Sequence, residues 1–549
     1  MRPRLSALVA LSVIFIGTTG VAAPAQADDP PAEFGTDYAD PRTPGPPVPH
    51  PDTAPCSVEI VRNGFRDFDP YTSAFTPPAD CAGPWAKVVL RMDGAVKGVQ
   101  FDRLGHLEIG GVEVFRTSTP EPSTDGIAWH VEKDVTSYAP LLRSAQPVVM
   151  ELGNVVNDTY TGVLDIVVTL DFYPAGSGAA PASTANAVLP VTGRHHDGAD
   201  TVGAVTLPRN ATRVVGEVYA TGSGGGCEEF WDTSAPSSTG YSCPDGSPYR
   251  EVQVLVDGKV AGIALPYPHI YTGGWSNPYS WRPSPAPRAF DIQPLRYDLT
   301  PFTGTLADGK EHEIRVRVIG LTPGQSGWFT IPNLHVWTDA KASHQTHGAI
   351  TSYTVGDLAK TEDVTGHDDL TGSVTLHATR AMKITGYVDT SVGRVWTTVT
   401  RTLTNDSDHR WTDYESHDAL DATWRDVSSV TTLGGGAVKT ERADLGYSKT
   451  GYISFTQNPV AGYDIVTDLS LADRSHRVTT VAEQPVLDRS HLETYDGRAS
   501  WIYGVPRTER HPKGTQTVRY RVTGDPELGC YDHTLSAVNG WYTTDTYAC

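Results

Sequence analysis

Two short stretches of this chain bring together residue types that could hydrolyse a stable bond. In Gly98-Val-Gln-Phe-Asp-Arg103 a carboxylate, Asp102, stands beside a guanidinium, Arg103. In Cys227-Glu-Glu-Phe-Trp231 two carboxylates, Glu228 and Glu229, follow a glycine-rich run and lead into an aromatic pair. A carboxylate can take a proton from water, and a guanidinium can neutralise a developing oxyanion. A carboxyl group beneath aromatic rings holds its proton to higher pH and can give it to a leaving group. Plainer readings stand beside these. Neighbours in a strand point to opposite faces, so Asp102 and Arg103 need not pair with each other, and either belongs equally in an edge-strand ion pair. Glu228 and Glu229 could simply face solvent. The glycine run lacks the Lys and following helix of a phosphate-binding loop, which excludes that chemistry.

The elements that must position these residues read as strands. Around Asp102 the chain forms a hairpin, with Gly110-Gly111 as its turn. The 53 glycines and 41 prolines, with only 4 methionines, argue for strands and turns. Helical periodicity is hard to find. A first β domain is expected over residues 56–175, with one short helical turn within 134–142, and a flexible linker over 174–183. A second follows over 187–339, interrupted at 265–290 by a long loop rich in Trp, Tyr, Pro and Gly, a length that is usually functional. A β-rich region completes the chain over 341–549. Its His/Asp groups (His367-Asp-Asp369, Asp408-His409, His417-Asp418) could hold a metal, but such pairs more often lie in solvated loops. The fold class expected is all-β: two adjacent jelly-roll-like sandwiches followed by a third β-rich domain.

Composition narrows the partners. Sixty-four acidic against 43 basic side chains give a net charge of −21, which argues against nucleic acid. Arg2 and Arg4, an apolar run over 8–16 and Ala25-Gln26-Ala27 read as a secretory signal over 1–27, too short for a membrane span. The expectation is a secreted protein with no membrane partner. Residues 28–55, rich in Pro, Asp and Thr, are expected to form an extended solvated arm. Six cysteines in an exported chain suggest bridges, and they fall in local couples: Cys56/Cys81, Cys227/Cys243 and Cys530/Cys549. Six cysteines allow 15 pairings, so neighbour pairing is an expectation. Zinc is the weaker alternative, since no couple has CxxC spacing.

Many short motifs in one order carry a resemblance. They are Gly98-Val-Gln-Phe-Asp-Arg103, Gly110-Gly-Val-Glu-Val-Phe-Arg-Thr-Ser-Thr-Pro-Glu-Pro122, Trp129-His-Val-Glu-Lys-Asp-Val-Thr136, Leu152-Gly-Asn154, Cys227-Glu-Glu-Phe-Trp231, Pro266-Tyr-Pro268, Trp281-Arg-Pro283, Asp298-Leu-Thr-Pro-Phe302 and Asn333-Leu-His335. Across roughly 56–339 the chain resembles the peptide N-glycanase A family, and more distantly it is similar to the flavobacterial-type glycanase. The resemblance implies hydrolysis of the amide joining asparagine to the innermost N-acetylglucosamine of a glycopeptide, without metal or organic cofactor. It implies Asp102 as the main catalytic group, with Glu229 opposite and Arg103 assisting. Asn154 falls where the distant relative has a third acid, so an amide holding sugar hydroxyls is expected there. Many relatives carry a His where this chain has Gly224-Gly-Gly226. Glu121, Glu228, Trp231, Trp281 and Arg282 are expected at the substrate. Two carboxylates on a sugar cleft also suit a glycoside hydrolase, and aromatic loops suit a lectin; the products separate the three.

Overall fold

A computed structural model describes residues 29–549 except 177, 223–225, 245, 271–276, 323–326 and 367–370. The expected leader over 1–27, Gly224 and Gly225, and the His367-Asp-Asp369 group lie outside the described residues. The chain is all-β, as its glycine-rich and methionine-poor composition requires. The first unit takes β1 (Cys56–Phe65), β2 (Tyr71–Phe75), β3 (Trp85–Val96), β4 (Leu104–Ile109), β5 (Val112–Ser118), β6 (Ile127–Asp134), β7 (Gln146–Leu152) and β8 (Leu164–Pro174). They form two four-stranded sheets, ordered β1-β8-β3-β6 and β2-β7-β4-β5. Residues 134–142 make two short 3-10 turns rather than one helix, at Thr136–Tyr138 and Leu141–Arg143.

The second unit takes β9 (Ala187–Pro190), β10 (Thr192–Asp197), β11 (Asp200–Thr206), β12 (Ala211–Gly222), β13 (Glu251–Val256), β14 (Lys259–Ala264), β15 (Leu295–Asp298), β16 (Glu311–Ile319) and β17 (Trp328–Thr338). Its sheets are ordered β10-β11-β16-β13-β14 and β15-β12-β17-β9. Strands with one wet face, such as β6 and β16, alternate buried and exposed residues. β5 does not: every residue in it is buried, because its second face is covered by the second sandwich.

That covered strand sets how the two sandwiches meet. Arg116, fully buried, donates through Nη1 to Thr221 Oγ1 and to the Phe329 carbonyl, both at 2.9 Å. Glu113 neutralises it with contacts of 2.7 and 2.8 Å. Asn333 exchanges two hydrogen bonds with the Glu113 backbone, and Tyr219 Oη donates to the Val114 carbonyl at 3.1 Å. A buried charge is tolerated only with a partner and satisfied protons, so the interface permits little sliding.

Residues 347–547 form an eleven-stranded antiparallel sheet of long strands, mostly hydrogen-bonded in sequence order. Among the described residues it has no core to itself. Leu469, Leu471, Tyr495, Val518, Leu535 and Tyr542 join the core of the first sandwich. Leu376, Met382, Val399, Leu420, Trp424 and Ile465 join that of the second. The expected solvated arm is corrected in part. Phe34 and Tyr38 are buried in the first core, and Phe34 N donates to the Pro512 carbonyl, so the arm is strapped down by its two aromatic rings. The three expected cysteine couples are bridged: Cys56–Cys81, Cys227–Cys243 and Cys530–Cys549.

Candidate active site

Asp102 lies in the loop that enters β4, and that loop is built on backbone and amide contacts. Gly98 has φ +108°, and a Cβ there would lie 2.5 Å from Thr161 Oγ1, so glycine is required twice over. The Val99 carbonyl accepts from Thr161 N and Gly162 N at 2.9 and 3.0 Å, fastening the loop to the 153–162 segment. Arg103 is gripped by neutral groups. Its Nε donates to Asn154 Oδ1 at 3.2 Å and its Nη2 to Gln100 Oε1 at 2.7 Å. Its backbone N donates to Thr119 Oγ1 at 2.9 Å. Burial pushes its pKa down, while Asp102, Tyr160 and Glu121 act in the opposite sense, so a cation with several anionic or phenolic neighbours is held half-buried at the cleft.

Glu229 belongs to the second sandwich. The segment Gly226–Thr233 forms 3-10 turns that fold back on the end of β12. A Cβ on Gly222 would lie 2.1 Å from the Glu228 carbonyl oxygen, so only glycine permits that return. Glu228 then points inward, where Arg250 Nη2 and Nε reach it at 2.6 and 3.0 Å and Trp328 Nε1 at 2.5 Å. With Glu228 turned inward, Glu229 stays partly accessible.

The docking of β5 on β12 and β17 brings the two stretches face to face. Leu104 pairs with Ser118, two residues beyond Arg116. Thr221, which Arg116 holds, immediately precedes Gly222, on which Glu228 rests. Asp102 and Glu229 therefore approach from two different sandwiches. Burial pushes the Glu229 carboxyl up to about 7, and the charge on Asp102 adds to the rise. A carboxylate within electrostatic reach of a carboxyl that keeps its proton near neutrality is an arrangement that can serve as base and acid to one substrate.

The six residues expected at the substrate are instead engaged within the fold. Asn154 is fully buried and saturated: its Nδ2 donates to the Phe65 and Gly162 carbonyls at 2.9 and 3.1 Å, and its Oδ1 accepts from Val155 N and Arg103 Nε. It has no donor left for a sugar and serves instead to aim Arg103. Glu228 is spent on Arg250 and Trp328. Trp231 is buried against Trp328 and Trp424, with ring centroids 6.3 and 5.8 Å away, and Trp281 is buried in the first core. Arg282 is committed to an ion pair with Glu121 Oε2 and lies over the rings of Tyr38 and Tyr279. Glu121, buried, is felt electrostatically by Arg103 and so stands behind it.

Three residues at the cleft escaped the sequence reading. Gln100 is two residues before Asp102, and its place inside the Val-Gln-Phe-Asp-Arg motif was the available signal. Phe101 is exposed beside Tyr160, with ring centroids 5.4 Å apart, and these two rings, rather than the buried tryptophans, present aromatic surface next to Asp102. Nothing in the spacing joins 101 to 160. Among the described residues no three His, Cys, Asp or Glu side chains converge to hold a metal ion, and His409 is buried against Asp418 at 2.6 Å. Two cavities of about 640 and 680 Å³ lie elsewhere, where the sandwiches meet the C-terminal sheet. Their linings include ion pairs such as Arg288–Asp473 in the first and Arg213–Asp298 in the second, and neither lining contains Asp102 or Glu229.

The profile of a family described as "Peptide N-acetyl-beta-D-glucosaminyl asparaginase amidase A" matches residues 44–355. A curated protein of Prunus dulcis, "Peptide-N4-(N-acetyl-beta-glucosaminyl)asparagine amidase A", is 33% identical over 383 residues, covering 64% of this chain and 66% of that protein. The match therefore spans just under two thirds of that relative's length. A solved structure titled "Structure of PNGF-II in C2 space group" aligns over 53% of this chain and 66% of its own at 15% identity, with a TM-score of 0.35.

Proposed function

The chain belongs to the peptide N-glycanase A family, and from that premise we propose that it hydrolyses the side-chain amide between asparagine and the first N-acetylglucosamine of N-glycosylated peptides or proteins. The products are a peptide carrying aspartate and the glycan released as its glycosylamine, which water then converts to free glycan and ammonia. The observation that carries this reading is the facing pair Asp102 and Glu229, one supplied by each sandwich, with the Glu229 carboxyl raised to about 7.

Each residue then has a task. Asp102 accepts a proton from water, whose oxygen attacks the amide carbon. Arg103, aimed by Gln100 and Asn154, neutralises the charge that develops on the amide oxygen. Glu229 enters protonated and gives its proton to the leaving nitrogen, so the carbon–nitrogen bond breaks without expelling an amide anion. Phe101 and Tyr160 offer rings for the sugar or the peptide. We read both sandwiches as jelly rolls, because the second repeats the interleaving of the first: β9-β17-β12-β15 and β11-β16-β13-β14 correspond to β1-β8-β3-β6 and β2-β7-β4-β5. We read the protein as secreted, on its N-terminal sequence and its three bridges.

The test is a defined glycopeptide digested in ¹⁸O-labelled water, followed by mass analysis of the peptide. The expected result is aspartate at the former glycosylation site, with the label in its new carboxyl group. Sugar left on asparagine would make the protein a glycoside hydrolase, and an unchanged glycopeptide would make it a binding protein.

A further inference from the structure

The segment carrying Glu229 is held from two sides, and one side is the C-terminal sheet, which apart from its first strand lies beyond the family match ending at residue 355. Lys449, on the strand Ala437–Gln457, donates through Nζ to Asp232 Oδ2 at 2.7 Å, and both side chains are almost wholly buried. Asp232 lies three residues after Glu229, in the second of two short 3-10 turns that meet at a kink at Phe230. Between them Trp231 packs edge-on to Trp424 of the strand His417–Gly434. Further on, Tyr241 donates to Asp418 Oδ2 at 2.7 Å, and Asp418 Oδ1 is bonded to His409 Nε2 at 2.6 Å. Ser242 N donates to Glu415 Oε1 at 2.8 Å. The Cys227–Cys243 bridge closes the segment around these anchors.

We infer that the C-terminal sheet is part of the active site's construction, and that Lys449 is a positioning residue for Glu229, acting through Asp232. The inference rests on the reading of Glu229 as the proton donor. A 3-10 turn has weaker hydrogen-bond geometry than an α-helix and does not hold its own shape well. Fixing one of its carboxylates with a buried ammonium supplies what the turn lacks, because moving either charge away leaves the other buried and uncompensated. The sheet can serve as the fixed end because it shares the second sandwich's core rather than hanging from a linker. Glu229 is thereby kept facing Asp102, partly out of water.

The experiment uses the full chain, with glycopeptide as substrate, in the variants Lys449→Met and Tyr241→Phe, with Asp102→Asn and Glu229→Gln measured beside them. In folded Lys449→Met, kcat is expected to fall about ten- to a hundredfold while KM stays within about threefold. The alkaline limb of the kcat/KM profile moves to lower pH, since a loosened Glu229 reaches water and gives up its proton sooner. Lys449→Arg, which keeps the charge, restores most of the rate and returns the limb. Tyr241→Phe shows the same changes at a few-fold scale. A folded Lys449→Met with native kcat and an unmoved alkaline limb overturns the inference. Should Lys449→Met not fold, native kcat and an unmoved limb in Tyr241→Phe overturn it equally. If Glu229→Gln keeps the native rate, the proton-donor reading fails and takes this inference with it. If Asp102→Asn and Glu229→Gln lose activity while the Lys449 and Tyr241 variants do not, this inference alone fails.

Discussion

The two halves of the cleft are built in opposite ways. The Asp102 half is held within its own sandwich, by neutral groups. Gln100 and Asn154 meet Arg103 with amide oxygens, and Gly98 and Thr161 lock the loops by close backbone approach. The Glu229 half is held by charge, and in part from outside its own sandwich. A disulfide, the Glu228–Arg250 pair and the Lys449–Asp232 pair hold it, the last reaching 217 residues along the chain. On the proposed reaction, the difference follows from what each half must do. Arg103 has to remain an available cation, and a carboxylate clamp would neutralise it, whereas amides orient it without doing so. Glu229 has to stay half out of water in a weak 3-10 segment, so it needs anchors strong enough to resist hydration.

The largest effect that can test this contrast is on the Asp102 side. Asp102→Asn keeps the shape but removes the basic oxygen, and kcat should fall about a thousandfold with glycopeptide affinity nearly retained. The same change takes away the charge that helps raise Glu229. The alkaline limb of the residual activity should therefore lie below that of the native enzyme, and an unmoved limb would mean that the two carboxylates do not feel each other.

Next comes the amide clamp. Asn154→Ala takes a partner from Arg103 Nε and from the Phe65 and Gly162 carbonyls, of which Gly162 keeps Gln100 Nε2. It should cost about 2–4 kcal/mol of stability in denaturant titration. Activity of the folded fraction should drop about tenfold in kcat with KM little changed, because Asn154 aims Arg103 and does not touch sugar. A change confined to KM would return Asn154 to the substrate. A smaller loss is expected from opening the Cys227–Cys243 bridge by Cys227→Ser with Cys243→Ser. About 3 kcal/mol of chain-entropy stabilisation goes, but two buried ion pairs remain, so kcat measured well below the melting temperature should change only a few-fold.

The smallest effect is a pH-dependent gain. The folded-state carboxyl of Glu229, about 7, lies above its unfolded value. Its contribution is therefore fully present below the unfolded value and lost as pH rises through about 7. Glu229→Gln should melt slightly higher than the native protein at pH 8 and no higher at pH 4. The gain should stay under about 1 kcal/mol, because the group is partly solvated and water screens it. Melting curves at the two pH values decide it.

Much of this was readable in the chain. The hairpin around Asp102, with its Gly110-Gly111 turn, the all-β class and the three cysteine couples depend on short-range rules of turn chemistry, period-two patterning and loop closure, which act within about twenty residues. The order of the motifs singled out Asp102, Arg103 and Glu229 as the candidate residues. The direction in which Glu228, Trp231, Trp281 and Asn154 point was not readable. Each is a polar or aromatic residue adjacent to the chemistry in sequence, and that adjacency says nothing about which face is covered.

Tertiary structure decided those directions. Burial of β5 by a strand more than a hundred residues away brings Asp102 to Glu229, since Arg116 can be satisfied only by Glu113, Thr221 and Phe329 together. Docking of the C-terminal sheet buries Trp231 and gives Asp232 its counter-ion. The sequence by itself determined which groups are available for catalysis and which turns deliver them. Which of them reach the substrate was left to the packing, because whether a polar side chain is solvated, paired or half-buried depends on partners that neither period nor spacing specifies.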